Sequence, residues 1–307
     1  MSVQTHPAPA AARARVAPRP RKRRIRLTHW VFAGPAAVLF TAFFAYPLAA
    51  SLYQSFTRDE GGVTVWAGLD QYRRMLHDPA FLESLLNTGL ILVTQVPVML
   101  VLALALAALL NQSWLRFRGT WRALYFLPAV TTLVAYAVVF QVLLKGDGGL
   151  VNQTLTAVGL PAVDWLNDPA WAKTALVGSL TWRWTGYNAV ILLAGLQSIG
   201  REQYEAAAID GAGTVTTYTR VIFPQLRPVV LFCAVTSTIG TLQLFDEPYV
   251  LTRGGPDHAT LTPVVYLYQT GFQQMDFGYA AAIAWAVVVV IAAVSALQFW
   301  FFGRERR

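Results

Sequence analysis

Aromatic and polar side chains cluster around one buried charge in the middle of an apolar stretch. Arg183 is surrounded by Trp182, Trp184, Tyr187 and Asn188. Aromatic faces combined with side-chain amides and hydroxyls can bind a polyhydroxylated solute. A charge this deep in an apolar segment is costly and usually faces a cavity or a partner group. Aromatic residues also form the interfacial belt of membrane helices, so that role stays open for these side chains.

A second polar set recurs along a later apolar stretch. At 100° per residue, one narrow helix face holds Cys233, Thr236, Gly240, Gln243 and Glu247. Polar groups within a membrane face either a cavity or another helix. The face therefore indicates either the lining of a solute pathway or packing between helices through small and polar residues.

The residue types needed for covalent or metal chemistry are not arranged for it. The four histidines lie outside the predicted membrane core, and no Cys/His cluster has metal-ligand spacing. Neither G-x-x-x-x-G-K-[ST] nor G-x-G-x-x-G occurs, so neither nucleotide-binding motif is present. The single cysteine, Cys233, rules out an intramolecular disulfide framework. We expect no enzyme activity and no cofactor bound by this chain.

The elements that must position these residues are membrane helices. The 307 residues are 55% hydrophobic and 13% charged, against about 25% charged in soluble domains. A bilayer core needs about 20 apolar residues per helix. Lys173 and Arg183 interrupt one long apolar stretch, 171–199, and five others carry no charge. The five are 27–57, 84–115, 123–144, 228–245 and 277–303. The pattern predicts an all-α membrane protein with six transmembrane helices.

The distribution of basic residues predicts the orientation. In a six-span chain 17 of the 24 Lys and Arg fall on one side, which puts both termini in the cytoplasm of an inner-membrane protein. Residues 1–26 are predicted to be a disordered basic tail bound to anionic lipid, and 27–307 to be the membrane domain. The net charge of +8 follows the membrane and does not indicate nucleic acid. Loops 58–83, 145–170 and 252–276 are then external.

The internal loop 200–228 is the most informative segment. Strong helix formers and early acidic residues predict a helix over 202–210, and Gly211 and Gly213 would end it. A second short helix is predicted over 214–221, with Pro224 and Pro228 leading into the next span. A helix–Gly–helix loop at the membrane surface suggests contact with a cytoplasmic partner.

The spacing within this loop is specific. It reads E-A-A at 205–207, three residues, Gly211, nine residues, and V-I-F-P at 221–224. This resembles the E-A-A, G, I-x-L-P signature of the membrane subunits of ATP-binding-cassette (ABC) importers, with apolar replacements at two positions. Further segments resemble the carbohydrate branch of that family: 87–88, 126–128, 149–152 and 245–262.

The resemblance implies a type I ABC importer (MetI-like) fold with a cytoplasmic coupling helix. Glu205 would pair with a basic residue of the ATPase, and Gly211 would permit the turn. The implied ATPase-coupling residues are Glu205, Ala206, Ala207, Gly211 and Pro224. The expected substrate pathway comprises Trp182, Arg183, Trp184, Tyr187, Asn188, Thr236, Gly240, Gln243 and Glu247. We expect Arg183 to pair with Asp246 or Glu247.

The implied function is one membrane half of a binding-protein-dependent importer for a di- or oligosaccharide. Its partners would be a second permease subunit, two ATPase chains that hold ATP and Mg, an extracytoplasmic solute-binding protein and membrane lipid, with no nucleic acid. An ABC permease for a non-sugar solute is the first alternative. An ion-coupled secondary transporter or channel is a further one, and the position of the histidines outside the predicted membrane core counts against an intramembrane enzyme.

Overall fold

The computed structural model describes residues 27–112, 114–213 and 216–304. The predicted basic tail, 1–26, lies outside the described residues. Within them the chain is almost entirely helical, which confirms the predicted all-α membrane architecture. The chain divides after Ala49 into two units, and each is described by itself.

The first unit belongs to one long apolar helix. It holds α1 (Leu27–Phe40), a π-helical turn (Thr41–Ala45) and the start of α2 (Tyr46–Gln54). Val38 and Phe43 are exposed, and the rings of Phe40 and Phe44 stack at 5.7 Å. A helix with exposed apolar side chains on this scale needs lipid or another protein around it.

The second unit opens with a hairpin that the sequence analysis missed. Strands β1 (Thr57–Glu60) and β2 (Val63–Trp66) pair antiparallel through Gly61 and Gly62. Both glycines have positive φ, +63° and +88°, as a tight two-residue turn requires. A short helix, α3 (Asp70–His77), follows. The all-α prediction therefore needs this small correction within a predicted external loop.

The central helices start at well-defined caps. Asp78 and Asp168 each accept hydrogen bonds from two backbone N–H groups of the helix that follows, and a proline occupies the first turn of both helices. The helices of this region are α4 (Pro79–Asn111), α5 (Arg118–Val130), α6 (Leu133–Leu143), α7 (Leu150–Ala157) and α8 (Pro169–Ser198).

The remaining helices are shorter or interrupted, except for the last. They are α9 (Arg201–Ile209), a π-helical turn (Thr217–Ile222), α10 (Phe223–Leu242), α11 (Asp246–Thr252), α12 (Pro263–Tyr268), a second π-helical turn (Gln269–Gln273) and α13 (Phe277–Arg304).

The number of spans does not come out as six by length and composition. Among the described residues, four helical segments are each long and apolar enough to cross a membrane. Helices α5 and α6 form a fifth span only if they are taken as one pair, which is bent by 95°. The remaining predicted span, the fourth in chain order, is α8, which has 30 residues but is interrupted by Lys173 and Arg183. Each predicted stretch is thus mainly helical, but the third is broken at 131–132 and the fifth ends in a break at 243–245.

Small residues let the long helices pack closely. Ala103 and Ala107 of α4 are fully buried in one cluster with Leu192 and Leu196 of α8. Where α5 crosses α8, a Cβ at Gly186 would overlap the carbonyl oxygen of Tyr125, so only glycine fits. The core therefore consists of α4, α8 and α10, with α5 held against α8.

Candidate functional site

A cavity of about 310 Å³ lies between α4, α8, α10 and the break after α10. Its walls offer aromatic rings, amides, hydroxyls and carboxylates together. The polar and aromatic lining residues are Gln95, Trp184, Tyr187, Asn188, Thr236, Ser237, Thr241, Gln243, Phe245, Asp246 and Glu247. Apolar ring faces with a few convergent polar groups are typical of small-molecule sites.

Helix α8 contributes a buried amide to this cavity. The Nδ2 of Asn188 donates to the Trp184 carbonyl at 3.0 Å and lies 3.4 Å from the Met99 sulfur. Its Oδ1 is buried and has no hydrogen-bond partner within the described chain. A buried acceptor without a partner costs free energy, so a solute hydroxyl at this point would be favourable.

The predicted polar face of the fifth span is not a single helix. Helix α10 ends at Leu242, and Glu247 belongs to α11, which begins after a three-residue break. Because the break turns the chain across the cavity, Thr236, Gly240, Gln243 and Glu247 still line the same space. Cys233 lies instead in the buried cluster between α8 and α10.

Trp182 and Arg183 lie outside the cavity lining, unlike the other predicted pathway residues. Trp182 is 55% exposed and stacks on Tyr136 at 6.2 Å, beside an apolar groove between α4, α5 and α8. Consecutive residues on a helix point about 100° apart, so Trp182, Arg183 and Trp184 cannot share one wall.

The predicted ion pair of Arg183 with Asp246 or Glu247 is wrong. Arg183 is 3% exposed, and its Nη2 donates to the Thr131 carbonyl at 2.9 Å. Its guanidinium lies over the Tyr136 ring, 4.7 Å from the centroid. The break between α5 and α6 leaves the Thr131 carbonyl without a helical donor, and Arg183 satisfies it. No described carboxylate lies within ion-pair distance of Arg183.

Helices α6 and α11 form one unit beside the cavity, called here the outer cover because the predicted orientation would place it at the external end. Gln141 of α6 donates to the carbonyls of Val250 and Leu251 in α11. Tyr136 of α6 and Leu251 of α11 are buried in one cluster with Leu180 and Leu244. Both halves of the cover follow a break in a span, one at 131–132 and one at 243–245.

The internal loop 200–228, called here the coupling loop after the role that the resemblance implies, contains the predicted helix and the predicted glycine stop. Helix α9 covers Arg201–Ile209, and Gly211 has φ +75°. Two backbone bonds close the helix, from Gly211 N to Ala208 O and from Ala212 N to Ala207 O. The second predicted helix is not separate: the described residues from Thr217 run through a π-helical turn directly into α10, with Pro224 in its first turn.

The E-A-A residues divide between two faces of α9. Glu205 and Ala206 are exposed, whereas Ala207 is buried against the chain. No described side chain forms an ion pair with Glu205. A cavity of about 760 Å³ adjoins Tyr204, Glu205 and Tyr218. The outward face of α9 is therefore charged and open.

At the predicted outer end, one carboxylate that the sequence did not single out links α4 to α12 and α13. Asp78 caps α4 through Oδ1, and its Oδ2 accepts from Tyr266 at 2.5 Å and from Tyr279 at 2.6 Å. Burial alone would raise the pKa of this carboxyl, but these hydrogen bonds together lower it. Burial and the adjacent carboxylate raise the pKa of Tyr266 to about 12. The Asp-Pro pair at 78–79 was an available signal for the cap.

Asn87 anchors the segment after α11. Its Nδ2 donates to the His258 carbonyl at 2.7 Å and to the Leu261 carbonyl at 3.3 Å. Arg74 pairs with Asp276 at 2.6 Å and covers the Tyr279 ring at 4.0 Å. These contacts tie α3, α4 and α13 to the same loop region.

Long apolar helices around a small polar cavity, with an exposed charged helix in a loop, are typical of membrane transport proteins. Residues 65–307 match the family model described as binding-protein-dependent transport system inner membrane component. The chain belongs to this family, as its loop spacing predicted, and is a multi-pass ABC importer permease.

Curated relatives cover nearly the whole chain. The lactose transport system permease protein LacF of Rhizobium radiobacter is 44% identical, over 91% of this chain and 94% of the relative. The arabinooligosaccharides transport system permease protein AraP of Halalkalibacterium halodurans is 34% identical, over 92% and 90%. The sulfoquinovosyl glycerol transport system permease protein SmoG of Agrobacterium fabrum is 34% identical, over 89% of each chain.

Solved structures share the fold. A bacterial ABC transporter involved in import of the acidic polysaccharide alginate matches with a TM-score of 0.81 at 21% identity, over 91% of this chain and 96% of that chain. The same transporter type has been solved in complex with an alginate pentasaccharide-bound periplasmic protein, with a TM-score of 0.75.

Proposed function

We propose that this chain is one of two membrane subunits of an ATP-driven, binding-protein-dependent importer for a di- or oligosaccharide. The observation that supports this best is the cavity, where aromatic faces stand beside amides and hydroxyls. The relatives named for lactose and arabinooligosaccharides agree with it.

Within the cavity the rings of Trp184 and Tyr187 would cover the apolar faces of a sugar, and the amides would meet its hydroxyls. The two rings lie edge to face at 5.8 Å, so each fixes the orientation of the other. Asn188 offers an unpaired acceptor, and Gln95 and Gln243 offer both donors and acceptors. Such groups orient a solute without holding it tightly.

Coupling to ATP would pass through α9. Glu205 and Ala206 face outward, where an ATPase subunit would dock, and α9 follows α8 after a break of two residues. A displacement of α9 would therefore reach Trp184 and Asn188 along α8. Two ATPase chains would bind ATP and Mg, and this chain would bind no cofactor itself.

The assembly would lie in the inner membrane with cytoplasmic termini. The second permease subunit would complete the pathway, and lipid would surround the exposed apolar helices. The outer cover and the loop anchored by Asn87 would then face the solute-binding protein. Single-cysteine labelling in a Cys233→Ser background tests this topology, and external labelling at either terminus would contradict it.

The function is tested by co-purifying the chain with its partners and measuring binding-protein-stimulated ATPase activity and uptake across a sugar panel. We expect Trp184→Ala to lower uptake by about tenfold, as loss of a buried aromatic contact does. Trp182→Ala is the matched control, because it removes the same side chain two residues away but outside the cavity. Normal uptake with Trp184→Ala, or equal loss in both variants, would contradict a solute site here.

A further inference from the structure

The charged side chains that line the cavity, among the described residues, are acidic. Asp246 and Glu247 contribute two carboxylates, and among the described residues no lysine or arginine lines the cavity. Glu247 is 3% exposed and Asp246 is partly buried, so water screens these groups less than it screens surface acids. The rest of the polar lining consists of neutral amides and hydroxyls.

The nearby cation, Arg183, is not part of the lining and acts on Glu247 only through space. Arg183 is directed to the Thr131 carbonyl and to the ring of Tyr136, and it forms no ion pair with a described carboxylate. The centroid of the Trp184 ring lies 5.5 Å from the guanidinium. The cavity therefore presents acceptor oxygens and negative charge to whatever enters.

We propose that Asp246 and Glu247 select substrates by charge. The cavity accepts uncharged saccharides and rejects those with carboxylate or other anionic groups. This rests on the proposed saccharide function. Sugar hydroxyls are donors, and carboxylate oxygens accept up to four hydrogen bonds per group. An anionic sugar would instead bring like charges together beside the buried Glu247, which lowers its occupancy by more than about tenfold.

The electrostatic effect of the two carboxylates on the cavity can be measured without any sugar. Gly240 lines the cavity, and a Cβ added there meets nothing within 4 Å. We would introduce Gly240→Cys with Cys233→Ser in the assembled transporter and compare modification rates by cationic and anionic methanethiosulfonates of similar size. Val158→Cys, 72% exposed and outside the cavity, corrects for intrinsic reactivity.

The expected result is a corrected cation-to-anion rate ratio well above one. Asp246→Asn and Glu247→Gln together should lower that ratio by about five- to tenfold, because two charges that line the same cavity as Gly240 are removed. Each single replacement is measured as well, in case the pair disturbs folding. Asp257→Asn is the matched control, an exposed acid on the same segment outside the cavity, and should leave the ratio unchanged. A ratio that neither single nor double replacement alters would overturn the inference.

Protection of Gly240→Cys separates this inference from the function on which it rests. A neutral disaccharide such as lactose should slow modification, whereas a uronic acid disaccharide of the same size should not. Asp246→Asn should allow the acidic sugar to protect. If lactose and the acidic sugar protect the unreplaced site equally, charge selection is wrong while a saccharide site stands. If neither the neutral panel nor the acidic sugar protects any variant, the saccharide function itself is contradicted.

Discussion

The predicted outer end and the coupling loop satisfy their polar groups in opposite ways. At the outer end, Asp78, Asn87 and Gln141 each bond to residues more than 100 positions away in the chain. In the coupling loop, Glu205 has no described ion-pair partner and Ile209 is 85% exposed. At the predicted outer end the chain satisfies these groups itself, whereas α9 presents an exposed charged and apolar face, as the proposed docking surface would.

This difference follows from the surroundings of each region, which are lipid at one end and the proposed partner at the other. Loops close to a bilayer must satisfy their carbonyls internally, because lipid offers no donors. Amide side chains do so for the segment after α11 and for α11 itself. A docking helix must keep its outward groups free until the partner arrives. Substitutions at the two ends should therefore fail differently, in folding at one and in coupling at the other.

The largest effect is expected at the crossing of α5 and α8. Gly186→Val should prevent folding, because its Cβ would overlap the Tyr125 carbonyl and the backbone of α5 cannot give way cheaply. Gly178→Ala is the control on the same helix, where a Cβ meets nothing within 4 Å. Yield and monodispersity in detergent are measured, and a well-folded Gly186→Val protein would contradict the close crossing.

The next effect tests the coupling loop. Glu205→Lys and Gly211→Asp should each abolish uptake while membrane insertion stays normal, because one reverses the outward charge and the other adds a charged side chain at φ +75°. Gly213→Ala is the matched control, with a negative φ and open space for the Cβ. Normal uptake at normal expression in both variants would remove the coupling role of α9.

A smaller effect is expected where Arg183 joins α8 to the break in the third span. Arg183→Ala should lower uptake severalfold, because the Thr131 carbonyl loses its donor and the guanidinium leaves the Tyr136 ring. Arg183→Lys should not restore it, since an ammonium cannot make both contacts. Lys173→Ala, which removes the other cation of α8, is the control. Full activity with Arg183→Lys would show that charge alone matters.

The smallest effect concerns Asp78 and acid stability. Asp78→Asn should lower the free energy of unfolding by about 1.5–3 kcal/mol at pH 7, through loss of charge-assisted hydrogen bonds from Tyr266 and Tyr279. The folded-state pKa of Asp78 is lowered. Its contribution is therefore complete above the unfolded value of about 3.9 and is lost as pH falls through the folded value.

Thermal unfolding of wild-type and Asp78→Asn protein in detergent measures this contribution. The difference in Tm should be constant near neutrality and should shrink below about pH 4. Asp70→Asn, at an exposed carboxylate nearby, should show no such difference. A Tm difference that stays the same at low pH would show that Asp78 acts through packing and not through its charge.

Composition and local spacing determined the class of this protein. Uncharged stretches longer than a bilayer core can only be helical there, and α9 with its Gly211 stop follows from helix formers, early acids and a positive-φ residue. Such signals lie within a few residues of the feature that they predict. The family resemblance rests on the same local pattern at 205–224.

Only the tertiary structure decided which polar residues meet. The breaks at 131–132 and 243–245 could not be read from apolar runs, because threonines and glutamine in a membrane stretch are compatible with a continuous helix. Those breaks release the Thr131 carbonyl to Arg183 and bring Glu247 to the wall that holds Thr236. Periodicity along one helix gives a direction for each side chain, but not where that helix ends or what faces it.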